Sequence, residues 1–105
     1  MNLTQGDAAP DFTAPTDSAG TATLSAMKGG AVIVYFYPKD NTPGCTTEAI
    51  AFRDLNKDFA EAGARIIGVS KDTVRKHENF IAKHDLNFTL VSDQSGEICD
   101  AFGVW

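Results

Sequence analysis

Strand-like and helix-like segments alternate along most of the chain, and this alternation constrains the fold more than any other feature. Apolar, β-branched and aromatic residues are concentrated at 31–37, 65–70 and 88–92, and apolar residues recur at helical spacing over 42–62 and 73–86. Strands joined through helices pair in parallel through right-handed crossovers. Three such strands do not close a barrel, so the pattern predicts an α/β fold with an open sheet flanked by helices. Reactive groups in such sheets gather at the carboxyl ends of the strands.

Shorter elements are predicted at both ends of this alternating region. Residues 12–14 and 21–24 have the composition of two short strands around a turn at 17–20, which predicts an N-terminal β-hairpin. Residues 97–102 have the composition of a short helix that follows turn residues at 93–96. With 105 residues, of which 43% are apolar, the chain has the size and core-forming capacity of one folded domain.

Two details of the central region predict which surfaces are buried. The run 31–37 is apolar on both faces, as in a strand that is covered from both sides. The first long helix is expected to end at Gly63, because glycine is the usual residue just after a helix C-terminus. Four of its apolar side chains fall along one broad stripe, which we expect to face the core: Ile50, Phe52, Leu55 and Phe59.

The charge and hydropathy of the chain exclude several classes of function. The net charge is −5, and the nine basic residues are scattered, whereas nucleic acids and anionic membranes require clustered Lys and Arg. The longest apolar run is too short to cross a bilayer, and the first fifteen residues lack the apolar stretch of a secretory signal. We therefore expect a cytoplasmic protein that binds neither nucleic acid nor membranes.

The second long helix carries two histidines, a residue type that commonly binds metal ions. His77 and His84 lie seven residues apart, and no cluster of Cys or Asp at a suitable spacing would complete a coordination sphere. We interpret them as a surface or half-buried pair. No glycine-rich phosphate loop is present in the sequence, so neither a metal nor a cofactor is expected.

The connection after the first core strand places a cysteine where a thiolate is stabilised. Thr42 is a good N-cap and Pro43 suits the first helical position, so Cys45 falls at the third position of the helix. A sulfur there lies near free backbone N–H groups and the positive end of the helix dipole, and the thiolate is the nucleophilic form. The alternative is a small buried apolar residue. The coincidence of strand end, cap and helix start favours the reactive interpretation, and Gly44 allows a ligand to approach the backbone closely.

These residues resemble a known family. Pro38-x-x-x-Thr42-x-x-Cys45 matches the active-site motif of the peroxiredoxins, and residues 37–48 as a whole resemble the bacterioferritin comigratory protein or peroxiredoxin Q branch. Further segments resemble that branch in the same order: 51–54, 68–70, 90–93 and 102–105. The resemblance implies a thioredoxin-like fold with an N-terminal β-hairpin and an open mixed sheet, in one peroxiredoxin domain over residues 1–105.

The resemblance also implies roles for five residues. Cys45 would attack a peroxide and become a sulfenic acid. The Thr42 hydroxyl would accept a bond from the thiol or hold the peroxide, and the backbone N–H groups of Gly44 and Cys45 would stabilise the charge that develops on the oxygens. Pro38 would shield the sulfur from water, and Glu48, one turn further along the helix, would orient its neighbours through hydrogen bonds.

The second cysteine that many members of this branch use is absent from its usual places. Ile50 and Ile81 occupy the positions where it would lie, so the resemblance implies a one-cysteine enzyme. Such an enzyme depends on an external thiol: thioredoxin, glutaredoxin or glutathione. Cys99 is expected to be a buried core residue of the last short helix. The alternative is that Cys99 resolves Cys45 after local unfolding, which requires the two Cα atoms to come within about 7 Å.

The family also uses an arginine from a later strand to assist the attacking cysteine and to bind peroxide. The sequence stops at Trp105, before that position, so we expect the domain to be incomplete at its C-terminus. Arg53 is expected to point away from Cys45 and to pair with a nearby carboxylate.

Two functions are compatible with these residues. The predicted function is a thiol-dependent peroxidase, an antioxidant enzyme of redox homeostasis that acts on hydrogen peroxide and organic hydroperoxides as a monomer or weak dimer. The alternative is a truncated, catalytically impaired thiol-redox sensor or binding module. A thioredoxin-like reductase is disfavoured because the sequence contains no Cys-x-x-Cys.

Overall fold

A computed structural model describes residues 5–16, 20–27 and 30–104. Within these residues it contains five strands, three α-helices and one 3₁₀ turn at Leu24–Ala26. The strands and helices, in chain order, are β1 (Thr13–Pro15), β2 (Thr21–Thr23), β3 (Ala31–Phe36), α1 (Pro43–Glu61), β4 (Ala64–Ser70), α2 (Val74–His84), β5 (Thr89–Ser92) and α3 (Glu97–Ala101). The predicted alternation of strands and helices is confirmed.

The three longer strands form a parallel sheet in the order β3-β4-β5. In its register Tyr35 is paired with Gly68, and Gly68 with Leu90. Strand β3 forms one edge of the sheet in the described part of the chain, and its residues are only half-buried. Its side chains nevertheless pack on both faces of the sheet, with Val32, Val34 and Phe36 on one face and Ile33 and Tyr35 on the other. The expected cover on both sides is therefore confirmed, although only Tyr37 of the run 31–37 is fully buried. The most buried strand is instead β4, because it lies between two neighbours.

The N-terminal hairpin is a separate two-stranded antiparallel sheet, as expected from the sequence. Thr13 is paired with Thr23 and Pro15 with Thr21, and the backbone N–H of Thr16 donates to the carbonyl of Gly20 at 3.0 Å. Residues 17–19 of the predicted turn lie outside the described residues, as does Trp105. Antiparallel pairing is thus confined, in the described part of the chain, to the hairpin, while the core sheet is parallel.

Alternate side chains of the sheet build two apolar layers. On one face, the hairpin and α3 cover the first layer, whose buried members are Phe12, Ala14, Ala22, Ile67, Val69, Val91 and Ile98. On the other face, α1 and α2 cover the second layer, whose buried members are Tyr37, Ala49, Ile66, Phe80, Leu86, Phe88 and Leu90. Cys45 packs against the second layer. The face covered by α1 and α2 is therefore the one that carries Cys45.

Helix α1 begins and ends where the sequence predicts. Pro43 is its first residue, and Gly63 follows its C-terminus with a φ of +81°, a conformation that glycine adopts without strain. The predicted apolar stripe is correct for Phe52, which packs on the second layer, but not for Leu55, which is 48% exposed.

Candidate active site

The start of α1 places Cys45 beside the carboxyl end of β3. Cys45 is the third residue of the helix and is half-buried. Thr42 has the extended backbone of an N-cap, with φ −85° and ψ 153°, but its side chain forms no capping hydrogen bond. Its hydroxyl donates instead to the carbonyl of Lys39 at 3.2 Å. The N-cap position predicted for Thr42 is confirmed, and the side-chain cap normally formed there is replaced by a bond that braces the preceding loop.

This arrangement leaves two backbone donors free at the helix start. The first regular helical bond is donated by Thr46 to the carbonyl of Thr42 at 2.8 Å. Pro43 has no N–H group, and in the described part of the chain no acceptor bonds the N–H groups of Gly44 and Cys45. Both donors lie next to the half-buried sulfur and carry the partial positive charge of the helix N-terminus.

Three further residues of the predicted site lie at the surface around Cys45. Pro38 and Gly44 are exposed, and a Cβ placed on Gly44 would meet no atom within 4 Å. The space above Gly44 is therefore open to a ligand. Glu48 is exposed and forms no side-chain hydrogen bond with the described residues, so the orienting bonds expected of it are not seen.

A buried polar cluster anchors the loop that leads to Thr42. The Asp40 carboxylate accepts a hydrogen bond from the Tyr37 hydroxyl and lies 2.7 Å from Nδ1 of His77. Nε2 of His77 lies 3.0 Å from the carbonyl oxygen of Val91. The backbone N–H of Asp40 donates to Oδ2 of Asp72 at 2.7 Å. We call Tyr37, Asp40, Asp72 and His77 the buried clamp, because it ties the loop to α2 and β5.

His77 is more deeply buried than the sequence predicts. The side chain of His77 is fully buried, with 0% exposure, whereas a surface or half-buried residue was expected. Both ring nitrogens face oxygen atoms, Nε2 the Val91 carbonyl and Nδ1 the Asp40 carboxylate. Burial is tolerated because every polar atom of the ring has a partner. Asn41, the next residue after the clamped Asp40, has a φ of +61°.

The clamp also contains the three groups in the described residues that could in principle hold a metal ion. The ligand atoms of Asp40, Asp72 and His77 lie within 4.8 Å of one another. The Asp40 carboxylate is already bonded to the Tyr37 hydroxyl and to Nδ1 of His77. Oδ2 of Asp72 accepts bonds from the Asp40 N–H and, at 2.8 Å, from the Ser70 hydroxyl. These hydrogen bonds explain why the three side chains lie together in the core, so the geometry gives no reason to assign a metal.

Tyr35 places a hydroxyl group without a partner near the cysteine. Its oxygen is buried and forms no hydrogen bond with the described residues. The ring stacks on Phe52 with centroids 4.6 Å apart, and a Cβ on Gly68 would come within 2.9 Å of the hydroxyl oxygen. Burial raises the pKa of Tyr35, and the charges of Glu48, Asp40 and Cys45 raise it further. The phenol therefore stays protonated in the neighbourhood of Cys45.

Cys99 and Arg53 both lie where the sequence suggests. Cys99 is 0% exposed, as expected for a core residue, and its N–H donates to Oδ2 of Asp93 at 2.9 Å. Burial, with the Asp93 carboxylate, raises the pKa of the Cys99 thiol to about 12. Arg53 pairs with Asp54 at 2.8 Å and donates to the carbonyl of His84 at 2.8 Å, which confirms the expected carboxylate partner.

Two cavities of the described structure lie at opposite ends of the sheet. The larger of these, about 550 Å³, lies at the amino ends of the strands beside Ala31 and Ala64, far from Cys45. The smaller, about 260 Å³, lies beside the loop that precedes Thr42. In the described residues, no helix is both long and apolar enough to span a membrane.

A half-buried cysteine beside free N–H groups at the start of a helix, on an open α/β sheet, is the arrangement of a thiol-based redox protein. Comparison with known proteins agrees with this class. The model of the AhpC/TSA family matches residues 5–105. The chain belongs to this family, and within it to the Bcp or peroxiredoxin Q branch of the peroxiredoxins.

Individual relatives show the extent of the match. Peroxiredoxin Bcp of Bacillus subtilis (strain 168) is 49% identical over 105 residues, which are 100% of this chain and 67% of the relative. Peroxidoxin BcpB of Mycobacterium tuberculosis has a TM-score of 0.89 and 41% identity, over 93% of this chain and 64% of that one. The bacterioferritin comigratory protein of Xanthomonas campestris, solved in a study of its alkyl peroxide reduction activity, has a TM-score of 0.85 and 44% identity, over 88% and 59%. The chain spans 69% of the putative peroxiredoxin bcp of Coxiella burnetii but 47% of the chloroplastic peroxiredoxin Q of Oryza sativa subsp. japonica, so it matches only part of the length of each relative.

Sequence reasoning missed Tyr35, Asp40 and His77 as neighbours of the site. Tyr35 lies in the middle of a predicted core strand, and no local sequence pattern indicates that its hydroxyl lacks a hydrogen-bond partner. Asp40 and His77 are 37 positions apart. The usable signal was the placement of Asp40 at the carboxyl end of a core strand, where polar residues tend to meet.

Proposed function

We propose that the chain reduces hydrogen peroxide and organic hydroperoxides through Cys45. The thiolate attacks one peroxide oxygen and the O–O bond breaks. The leaving oxygen takes up a proton and departs as water or an alcohol, while the sulfur keeps the other oxygen as a sulfenic acid. The observation that carries the proposal is the pair of N–H groups of Gly44 and Cys45, which have no acceptor among the described residues and lie beside the sulfur. They are suited to stabilise negative charge on the peroxide oxygens.

The remaining site residues support this reaction in distinct ways. The Thr42 hydroxyl uses its hydrogen on the Lys39 carbonyl, so its oxygen keeps lone pairs that accept a hydrogen bond from the thiol or from the hydroperoxide. Pro38 shields the sulfur, and the open space above Gly44 admits the peroxide. Glu48 contributes negative charge at the entrance. The alkyl peroxide reduction activity of the Xanthomonas relative is consistent with an organic hydroperoxide as substrate.

An external thiol completes the cycle in this proposal. Ile50 and Ile81 leave Cys45 without a resolving cysteine on α1 or α2, and Cys99 is fully buried with a raised pKa, which makes it a poor nucleophile. The enzyme is therefore of the one-cysteine type and is reduced by thioredoxin, glutaredoxin or glutathione. It acts in the cytoplasm, where thiols are kept reduced, as a monomer or weak dimer within one domain.

The test is a stopped-flow measurement of peroxide consumption by the reduced chain. We expect rapid consumption that is abolished by Cys45→Ser and unchanged by Cys99→Ala. Thr42→Ser should retain the rate, because it keeps the hydroxyl, and Thr42→Val should lose most of it. Trapping with dimedone followed by mass spectrometry should place the sulfenic acid on Cys45.

Two results would contradict the proposal. If dimedone labels Cys99 alone, the sulfenic acid forms on Cys99, and the role proposed for Cys45 is wrong. A rate equal to that of an ordinary free thiol, the same in every variant, would favour the redox-sensor alternative.

A further inference from the structure

A small cavity beside the cysteine loop is lined by an unusual share of the positive charge of the chain. Its volume is about 260 Å³, and three lysines reach it, one from the loop and two from α2: Lys39, Lys76 and Lys83. The chain has only nine basic residues and a net charge of −5, so a third of its cations meet at this one place. We call the cavity and these three residues the lysine pocket.

The two helical lysines share one face of α2. Lys76, Asn79 and Lys83 follow one another at spacings of three and four residues, which brings them above one another on the helix surface. Asn41 lines the opposite side of the cavity. The pocket therefore presents amide and ammonium donors from two directions, as a binding site for a carboxylate requires.

Most of this positive charge is not neutralised inside the protein. The Lys83 ammonium donates to the neutral amide of Asn41 at 3.2 Å, and the Lys39 ammonium has no ion-pair partner among residues 5–16, 20–27 and 30–104. Lys76 lies 3.9 Å from Oδ1 of Asp72, so one of the three charges is offset. The other carboxylate lining the cavity, that of Asp40, is bonded inside the protein to the Tyr37 hydroxyl and to Nδ1 of His77. The pocket as a whole is cationic.

The pocket is close enough to Cys45 to act on what reacts there. Asn41 precedes the N-cap Thr42, and Cys45 lies within the first turn after it. One Cα–Cα step and one helical turn separate Asn41 from Cys45 by at most about 9 Å. This distance is within about one Debye length at physiological salt, so the charges of the pocket act on an anion that approaches the sulfur of Cys45.

We propose that the lysine pocket binds the carboxylate of a small anionic thiol that reduces the oxidised cysteine. The proposal rests on the proposed peroxidase function. In the first step the thiolate attacks the Cys45 sulfenic acid, an S–S bond forms, and the hydroxide leaves as water after taking up a proton. A second molecule of the thiol then attacks the mixed disulfide, which releases the Cys45 thiolate and the disulfide of the reductant.

The dimensions of the pocket favour a small thiol over a protein reductant. A volume of about 260 Å³ is just below the range of about 300–1,000 Å³ typical of small-molecule sites. It accommodates a charged fragment, whereas a folded reductant docks over a much larger surface. Binding through a few exposed charges should mainly raise the rate of encounter, and it should be screened by salt.

The experiment compares charged and neutral reagents at the same sulfur. In a first assay, the reduced chain reacts with a dianionic aromatic disulfide, 5,5′-dithiobis(2-nitrobenzoate), or with neutral 2,2′-dithiodipyridine, and mass spectrometry follows modification of Cys45. In a second assay, the sulfenic acid is reduced by mercaptosuccinate or by neutral 2-mercaptoethanol. Lys39→Gln/Lys83→Gln is the test variant. The matched control is Lys57→Gln, an exposed lysine of α1 that does not line the pocket.

We expect the test variant to slow both anionic reagents about five- to tenfold and the neutral ones less than twofold. The control should change neither, and the difference should shrink in 0.5 M salt. Equal effects of test and control variants would overturn the proposal. Slower reduction by thioredoxin alone, with mercaptosuccinate unaffected, would overturn it in favour of a protein partner.

The design separates this proposal from the peroxidase itself. The disulfide assay needs no peroxide, so charge selectivity at Cys45 is measured even if the chain consumes none. Loss of peroxide consumption with retained selectivity would contradict the proposed function and support the pocket as an anion site. Normal peroxide consumption without selectivity would contradict the pocket alone.

Discussion

Replacing His77 by leucine tests whether the buried clamp stabilises the fold through its polar bonds. The side chain of His77 has 0% exposure and that of Asp40 has 5%, and they are 2.7 Å apart. His77→Leu leaves the Asp40 carboxyl with the Tyr37 hydroxyl as its only side-chain partner, and it leaves the Val91 carbonyl without its bond. Breaking a buried pair from one side costs about 3–5 kcal/mol. A domain of this size has about 5–15 kcal/mol in total.

The measurement is urea unfolding followed by circular dichroism. We expect the free energy of unfolding to fall by about 3–5 kcal/mol with little change in the slope against urea. Adding Asp40→Asn should recover more than about 1 kcal/mol, because the carboxylate that lost its partner is then absent. A loss below about 1 kcal/mol in His77→Leu would refute the reasoning, since it would show that the clamp is solvated or forms differently.

His84 provides the matched control for this experiment. It lies on the same helix, and its Nε2 is buried without a hydrogen-bond partner among the described residues. Its backbone carbonyl accepts the bond from Arg53, which a side-chain change does not remove. His84→Leu should therefore change the stability by less than about 1 kcal/mol or increase it. A large loss in both variants would show that any change on α2 is damaging.

Three further outcomes follow from individual side chains. Because the pKa of Cys99 is raised to about 12, the unfolded chain loses this proton near pH 9 while the folded chain keeps it. The free energy of unfolding should thus fall as the pH rises from about 9 to 12. The urea midpoints measured at pH 8 and at pH 10.5 should differ less in Cys99→Ala than in the parent chain. Gly44→Ala should stabilise α1 by up to about 1 kcal/mol, because the new Cβ meets open space. The same substitution should slow peroxide consumption severalfold in stopped flow, and an unchanged rate would exclude peroxide approach over Gly44. Tyr35→Phe removes a buried hydroxyl that has no partner, so its thermal unfolding should be unchanged or slightly raised; a loss above about 1.5 kcal/mol would show that the hydroxyl is bonded.

Features with local causes could be predicted from the sequence. The bounds of α1 follow from Pro43 and Gly63, whose backbone preferences act within a residue or two. The position of Cys45 at the third helical residue follows from the same signals. The parallel sheet follows from the alternation of segments, because the chain can join strands through helices in few ways.

Features decided by neighbours distant in the sequence could not be predicted. Leu55 and Phe52 lie on the same predicted apolar stripe, yet Phe52 packs on the second layer and Leu55 is exposed. The clamp joins Asp40 to His77, and nothing in either segment indicates the other. The direction of the Thr42 hydroxyl depends on the fold of the preceding loop, so its bond to Lys39 could not be anticipated from the N-cap rule.

The clamp has a mechanical consequence for the exposure of Cys45 during the cycle. Asp40 is fixed through its side chain and its backbone, whereas Gly44 and Cys45, a few residues later, donate no backbone bond to any residue that the structure describes. Asn41, with its φ of +61°, lies between the fixed and the free parts. Fraying of the first turn of α1 therefore pivots at Asn41 and leaves the loop before it in place. Amide hydrogen exchange should show Asp40 protected and Cys45 exchanging freely; equal exchange at both would place the pivot elsewhere.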